Sequence, residues 1–280
     1  MPWLLSLFIT IGIANAGLRK VDSCQVPKGS KLVAIIKQWH LPPKTATKGF
    51  KERYPQETNQ SDIYNAVSNM IKKKKIQLLV AEGCEGEING DFKTVFNGWD
   101  INSLKNESQR RNFDRILTNV AMKLEARHTD KILTLCGDNE KLIQEGNLRI
   151  SNLRGWLGFW TRLTDSKNDP ERQKLYGAAA ADLLRISHDT PADKLIEQIK
   201  EQMKSDLEAF QKSLNDRNDG FVKVVSEQPF QTAAVVIGGL HAEDLKKKLQ
   251  AAGIGCDVLE PRGYQREEED LVRQFQNALK

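Results

Sequence analysis

Apolar residues in this chain gather into short β-branched runs, separated by stretches in which they recur every three or four positions. Lys31-Leu-Val-Ala-Ile-Ile-Lys-Gln-Trp-His40 and Ala233-Ala-Val-Val-Ile-Gly-Gly-Leu-His241 each close on a histidine, and Ile76-Gln-Leu-Leu-Val-Ala81 closes on Glu82-Gly83. Short apolar runs bounded by polar and glycine residues read as buried strands of a parallel or mixed sheet. Strands are expected at residues 32–37, 77–81, 131–136, 233–237 and 256–260. Helical spacing is expected at 61–75, where Ile63, Ala66, Val67, Met70 and Ile71 fall on one face, and at 102–127, 178–186, 192–214 and 242–252. Strands alternating with helices predict an α/β fold with a mixed central sheet flanked by helices. Residues 141–227 carry almost no strand signal, which predicts a helical insertion between the third and fourth of these strands. Residues 17–280 are read as one α/β domain.

The first residues do not fit this pattern. Leu4 to Ile13 is an apolar core of signal-peptide length, and Ala14-Asn15-Ala16 is a small-x-small cleavage site. Residues 1–16 therefore predict a signal peptide, a secreted or periplasmic protein, and no membrane span after cleavage. Hydrophobic residues make up 39% and charged residues 28%, which excludes a disordered chain. A net charge of +5, from 42 basic against 37 acidic residues, predicts no nucleic-acid partner.

Four cysteines, Cys24, Cys84, Cys136 and Cys256, allow three disulfide pairings in a secreted chain or remain as buried thiols. Cys84 and Cys136 lie at or just beyond the ends of neighbouring candidate strands, so they form the candidate pair.

Open α/β sheets place ligands outside the carboxyl ends of their strands. This brings His40, Glu82 and His241 to one rim. Imidazole and carboxylate are ligands for divalent metals, and such an ion lowers the pKa of a bound water to about 7. His40, Glu82 and His241 are the candidate ligands. Asp138 and Glu140, after the third strand, are candidates for a further ligand or a general base, with Glu85 and Glu87 behind them. The bland alternative is a set of ordinary loop residues, with Gly238-Gly239 permitting a tight turn. His128 reads as a surface residue at a helix end. His188 in Ser-His-Asp is no triad by adjacency alone. Arg154 to Trp160 concentrates aromatics that read as a cap on a core. Asn59-Gln-Ser61 and Asn106-Glu-Ser108 fit the glycosylation pattern.

Arg217-Asn218, followed by a short helix, the run Ala234 to Ile237, Gly238-Gly-Leu-His241 and Leu249-Gln-Ala-Ala-Gly253, resembles the closing segment of the TraB/GumN/Tiki superfamily, a group that takes in erythromycin-esterase-like and ChaN-like proteins. The strand ending in His40 and the Glu82-Gly83 pair resemble its other signature positions. The chain departs from the pattern at Lys37, where the family often has glycine. The resemblance implies a divalent-metal hydrolase acting on peptide or ester bonds, with a peptide or small-molecule substrate; its ChaN-like branch implies haem or small-ligand binding instead. It implies site roles for His40, Glu82 and His241, and supporting roles for Gly238 and Asn218. Arg217 would hold a carboxylate by paired hydrogen bonds or stabilise an oxyanion.

Overall fold

A computed structural model describes residues 17–27, 29–40, 55–87, 120–128 and 131–280. The expected signal peptide, the second glycosylation pattern at Asn106 and most of the helix expected at 102–127 lie outside these residues. Its described part forms α2.

The strands are β1 (Leu18–Cys24), β2 (Leu32–Gln38), β3 (Leu78–Ala81), β4 (Glu85–Glu87), β5 (Leu133–Gly137), β6 (Thr232–Gly238) and β7 (Gly255–Pro261). The described helices are α1 (Pro55–Lys72), α2 (Val120–His128), α3 (Glu140–Asp165), α4 (Pro170–Leu184), α5 (Ala192–Glu227), α6 (Ala242–Ala251) and α7 (Glu267–Ala278). The protein is α/β, and the helical region α3–α5 lies between β5 and β6 as expected.

The sheet runs β1-β7-β2-β6-β3-β5-β4. The five inner strands are parallel, while β1 on β7 and β4 on β5 are antiparallel, which makes the sheet mixed. The inner strands are apolar on both sides because both faces are covered. Ala34, Ile36, Leu79, Ala81, Ala234 and Val236 pack with Ile63, Val67 and Met70 of α1 and Val120 and Leu124 of α2. Val33, Ile35, Leu78, Val80, Val235 and Ile237 pack with Phe221 and Val225 of α5 and Leu245 and Leu249 of α6.

One compact unit comprises the chain up to Glu140 together with Arg217–Arg266, and so contains the whole sheet and the last turns of α5. The other comprises Lys141–Asp216 and Glu267–Lys280 and is helical. In this second unit the buried Asp206 carboxylate accepts from Arg149 Nη1 at 2.9 Å and from Trp156 Nε1 at 3.0 Å. Trp156 and Trp160 are both half-buried.

Both pairs of cysteines are disulfides, Cys24–Cys256 and Cys84–Cys136. The first joins strands already in register, since Cys24 lies opposite Cys256. Disulfides persist in oxidising compartments, which agrees with a protein that matures outside the cytoplasm. No described helix is long and apolar enough to cross a membrane.

Several expectations are corrected. α1 starts at Pro55, well before Ser61. Residues 140–165 are a single helix. Arg217 and Asn218 do not precede a short helix but lie inside α5, which runs on to Glu227. His128 is buried, with Nε2 2.8 Å from Ser68 Oγ. Asn59 is buried and accepts the Trp39 N–H at 2.9 Å, so it is not presented as a glycan acceptor.

Candidate functional site

Parallel register sets the site. Ala81 of β3 lies opposite Val236 of β6 and Cys136 of β5, so the next residue, Glu82, emerges between the ends of those two strands. Gln38 of β2 lies opposite Gly238 of β6. The carboxyl ends of β2, β6, β3 and β5 thus carry His40, His241, Glu82 and Asp138 along one rim.

Glu82 is the hub. Its Oε1 lies 2.8 Å from Arg217 Nη2 and 3.2 Å from His241 Nε2. Its Oε2 lies 3.3 Å from His40 Nε2 and accepts the Gly238 N–H at 2.5 Å. Burial alone would push the Glu82 carboxyl pKa up. The neighbouring His241 and His40 imidazoles, through charge and hydrogen bonding, outweigh burial and hold it well below the usual carboxylate range.

Arg217 meets Asp138 side-on, Nε to Oδ1 at 2.8 Å and Nη2 to Oδ2 at 2.7 Å. Asp138 also accepts from the backbone N–H of Gly83 at 3.1 Å and of Asn139 at 3.0 Å. Four donors thus occupy its two oxygens, an arrangement that anchors Arg217. Burial opposes the charge on Arg217, but Asp138 and Glu82 reverse this and raise its pKa above the ordinary value. Arg217 thus grips the Asp138 carboxylate by paired hydrogen bonds. Glu140 opens α3, where its backbone N–H donates to Glu85 Oε2 at 3.2 Å and stands with β4.

The two histidines are held by different amides. Asn218 Nδ2 donates to Asp244 Oδ2 at 2.8 Å, which turns Oδ1 toward His241 Nδ1 at 2.7 Å. Oδ1 can only accept, so Nδ1 carries the proton and Nε2 faces Glu82. Gln38 Oε1 accepts the Val120 N–H at 3.3 Å, which turns its Nε2 toward His40 Nδ1 at 3.3 Å. In that arrangement His40 Nδ1 accepts, and Nε2–H points at Glu82. His241 and Asn218 are buried, whereas a third of the His40 side chain is exposed.

Two close approaches bring α5 to the rim. A Cβ on Gly137 would sit 2.1 Å from the Phe221 ring, and a Cβ on Gly220 would sit 2.6 Å from the Gly137 carbonyl oxygen. Bare backbone at both positions lets α5 lie against the end of β5, one turn from Arg217 and Asn218. These glycines, together with Gln38 and Asp244, were not legible in the sequence. Spacing along one chain does not show which backbones touch.

Lys37, the departure from the family pattern, does not crowd the cluster. Its Nζ pairs with Glu260 Oε1 of β7 at 2.8 Å. Cys84–Cys136 ties the turn after Glu82 to the strand before Asp138.

A divalent ion fits this donor set in part. The 3.2 and 3.3 Å contacts of the two imidazoles run to different Glu82 oxygens, so one ion would have to be held by both oxygens of the carboxylate between the two rings. His241 also has the outer partner expected of a ligand, since a metal-binding imidazole donates its other N–H to an oxygen. Among the described residues no three His, Cys, Asp or Glu side chains form a ready-made cage. For His40 to offer a lone pair at Nε2, its proton must move to Nδ1 and the Gln38 amide must turn over. Glu82, Asp138 and Arg217 sum to one negative charge, which leaves room for one cationic partner. No family model, curated protein or solved structure matches this chain.

Proposed function

We propose that the protein is a metal-dependent hydrolase of peptide or ester bonds, acting outside the cytoplasm as a secreted or periplasmic enzyme. One observation carries the reading: His40 and His241, from strands that are distant in sequence, direct Nε2 at opposite oxygens of one buried carboxylate. The resemblance of Gly238-Gly-Leu-His241, Arg217-Asn218 and Glu82-Gly83 to the TraB/GumN/Tiki pattern supports it.

His40, Glu82 and His241 would hold the ion. A divalent ion there supplies polarisation of the scissile carbonyl and a water that ionises near neutrality. The chain's own groups do the rest. Gly238 N–H and Arg217 fix both Glu82 oxygens, so the carboxylate is oriented before substrate arrives. Asn218 fixes the His241 ring. His40, with a third of its side chain exposed, would leave the ion open to substrate on that side.

The test is elemental analysis of protein purified without chelator or polyhistidine tag, alongside turnover of peptide and ester panels. Wild type is expected to carry a divalent metal and turn over substrate. His40→Ala and His241→Ala are expected to lose both while keeping the circular dichroism of the fold. A wild type that stays metal-free and inert when divalent ions are added overturns the reading, as does a His241→Ala variant that stays loaded and active. An absorption titration with haem on the same proteins tests the ChaN-like alternative.

A further inference from the structure

A second charged cluster stands on the same rim. Glu260, at the end of β7, meets three cations: Lys37 Nζ at 2.8 Å, Arg19 Nη2 at 3.2 Å and Arg266 Nη2 at 3.4 Å. Neighbouring cations each have at least one acid of their own, Lys20 with Asp257 and Lys246 with Asp22 and Glu243. Within its own ion pairs the Glu260 cluster holds two positive charges in excess, and the acidic run Glu267 to Asp270 follows Arg266 in the chain. Its carboxylate and Lys37 are embedded, with side chains 5% and 13% exposed, whereas Arg19 and Arg266 are 77% and 58% exposed. Among the described contacts each arginine reaches Glu260 through a single Nη2, which leaves most of its donor fork facing solvent.

The register relates this cluster to the candidate site. Lys37 lies opposite Ile237, and Glu82 follows Ala81, which lies opposite Val236. Lys37, Ile237 and Glu82 therefore form one row across β2, β6 and β3. Two strand spacings put the Cα atoms of Lys37 and Glu82 about 10 Å apart. Both side chains belong to the face that carries Ile35, Val80 and Ile237.

We infer that Lys37, Arg19 and Arg266 form a subsite for a substrate carboxylate, and that the enzyme selects acidic peptides. This rests on the hydrolase reading above. An extended peptide advances about 3.3–3.4 Å per residue, so the acidic residue stands about three positions from the bond cleaved. Arginine forks match carboxylates in geometry as well as charge, and the ion pair with Glu260 at 2.8 Å holds Lys37 in place.

Removing Lys37 would strand the buried Glu260, so the test uses the exposed arginines. Calorimetric titration compares a blocked alanine-based peptide bearing one glutamate with its glutamine twin, at constant ionic strength. Wild type is expected to bind the glutamate peptide about tenfold more tightly. Arg19→Gln/Arg266→Gln is expected to bind both alike, and His40→Ala to keep the preference. The preference in His40→Ala separates the two readings, because it survives even if no metal or turnover is found. Equal affinity in wild type, no binding of either peptide, or a preference that persists in the double variant overturns the subsite.

Discussion

At the scale of single residues, Glu82 is a buried carboxylate shared by a guanidinium, two imidazoles and a backbone amide. Its orientation is fixed by Arg217 and the Gly238 N–H, and that of the His241 ring beside it by a residue that does not touch Glu82. That residue is Asn218, whose amide links His241 to Asp244. Asn218→Ala is expected to weaken metal affinity by about 10–100-fold, as loss of an outer partner does elsewhere, while Asn218→Asp, which keeps an acceptor for Nδ1–H, retains more of it; metal titration with a competing chelator reads both. Glu260 gives a residue-scale prediction about pH. Burial would raise its pKa, but the Lys37 hydrogen bond and charge, with Arg19 and Arg266, lower it below 4.5. A carboxylate whose pKa is lower in the folded state adds stability above its unfolded value and loses it as the pH falls through the folded one. Glu260→Gln is therefore expected to be less stable than wild type at neutral pH, with the gap closing below pH 4.5 in urea melts. A gap that stays constant with pH would assign the loss to packing.

At the scale of elements, the approach of α5 to β5 decides whether the site exists. Alanine for glycine inside a helix ordinarily stabilises by about 1 kcal/mol. Gly220→Ala is expected to do the reverse, destabilising by about 1–3 kcal/mol, because its Cβ would meet the Gly137 carbonyl oxygen at 2.6 Å. Backbone cannot swing aside as a side chain can. Denaturant melts read the sign, and lowered metal retention would show Arg217 and Asn218 displaced with the helix. The elements that were legible are those with strong periodicity. β2, β3, β5, β6 and β7 are apolar runs, and α6 follows His241 at helical spacing. β1 was not legible because Leu18-Arg-Lys-Val-Asp-Ser-Cys24 is an edge strand, mostly exposed, with no apolar alternation to read. β4, Glu85-Gly-Glu87, is too short and polar to stand out from a glycine-rich loop. Within the expected helical insertion α3 was not marked off as a separate helix, because Gly146, Gly155 and Gly158 interrupt its pattern.

At the scale of the whole molecule, the gathering of His40, Glu82 and His241 was legible because parallel register carries the ends of β2, β3 and β6 to one edge. Of the supports, Asn218 was marked by the resemblance, whereas Gln38 and Asp244 were not legible, because they act through contacts between distant segments. The two disulfides are long-range ties, with sequence separations of 232 and 52 residues. Long closed loops restrict the unfolded chain most, so Cys24→Ser/Cys256→Ser is expected to lose about 2–5 kcal/mol. Cys84→Ser/Cys136→Ser is expected to lose a similar amount and also to loosen the turn after Glu82, so its metal affinity falls while that of the first pair's variant does not. Equal affinities in the two variants would mean that the Cys84 tie has no bearing on the rim.

The position of β6 has a consequence for biogenesis. It lies between β2 and β3 in the sheet, yet it is synthesised more than 140 residues after β3. As the chain emerges from the ribosome, the N-terminal strands have a vacant slot where their shared neighbour belongs, so the sheet cannot zip progressively and must close late around its latecomer. A nascent chain stopped before Thr232 should therefore be a client for holdase chaperones, while one released after Pro261 should not.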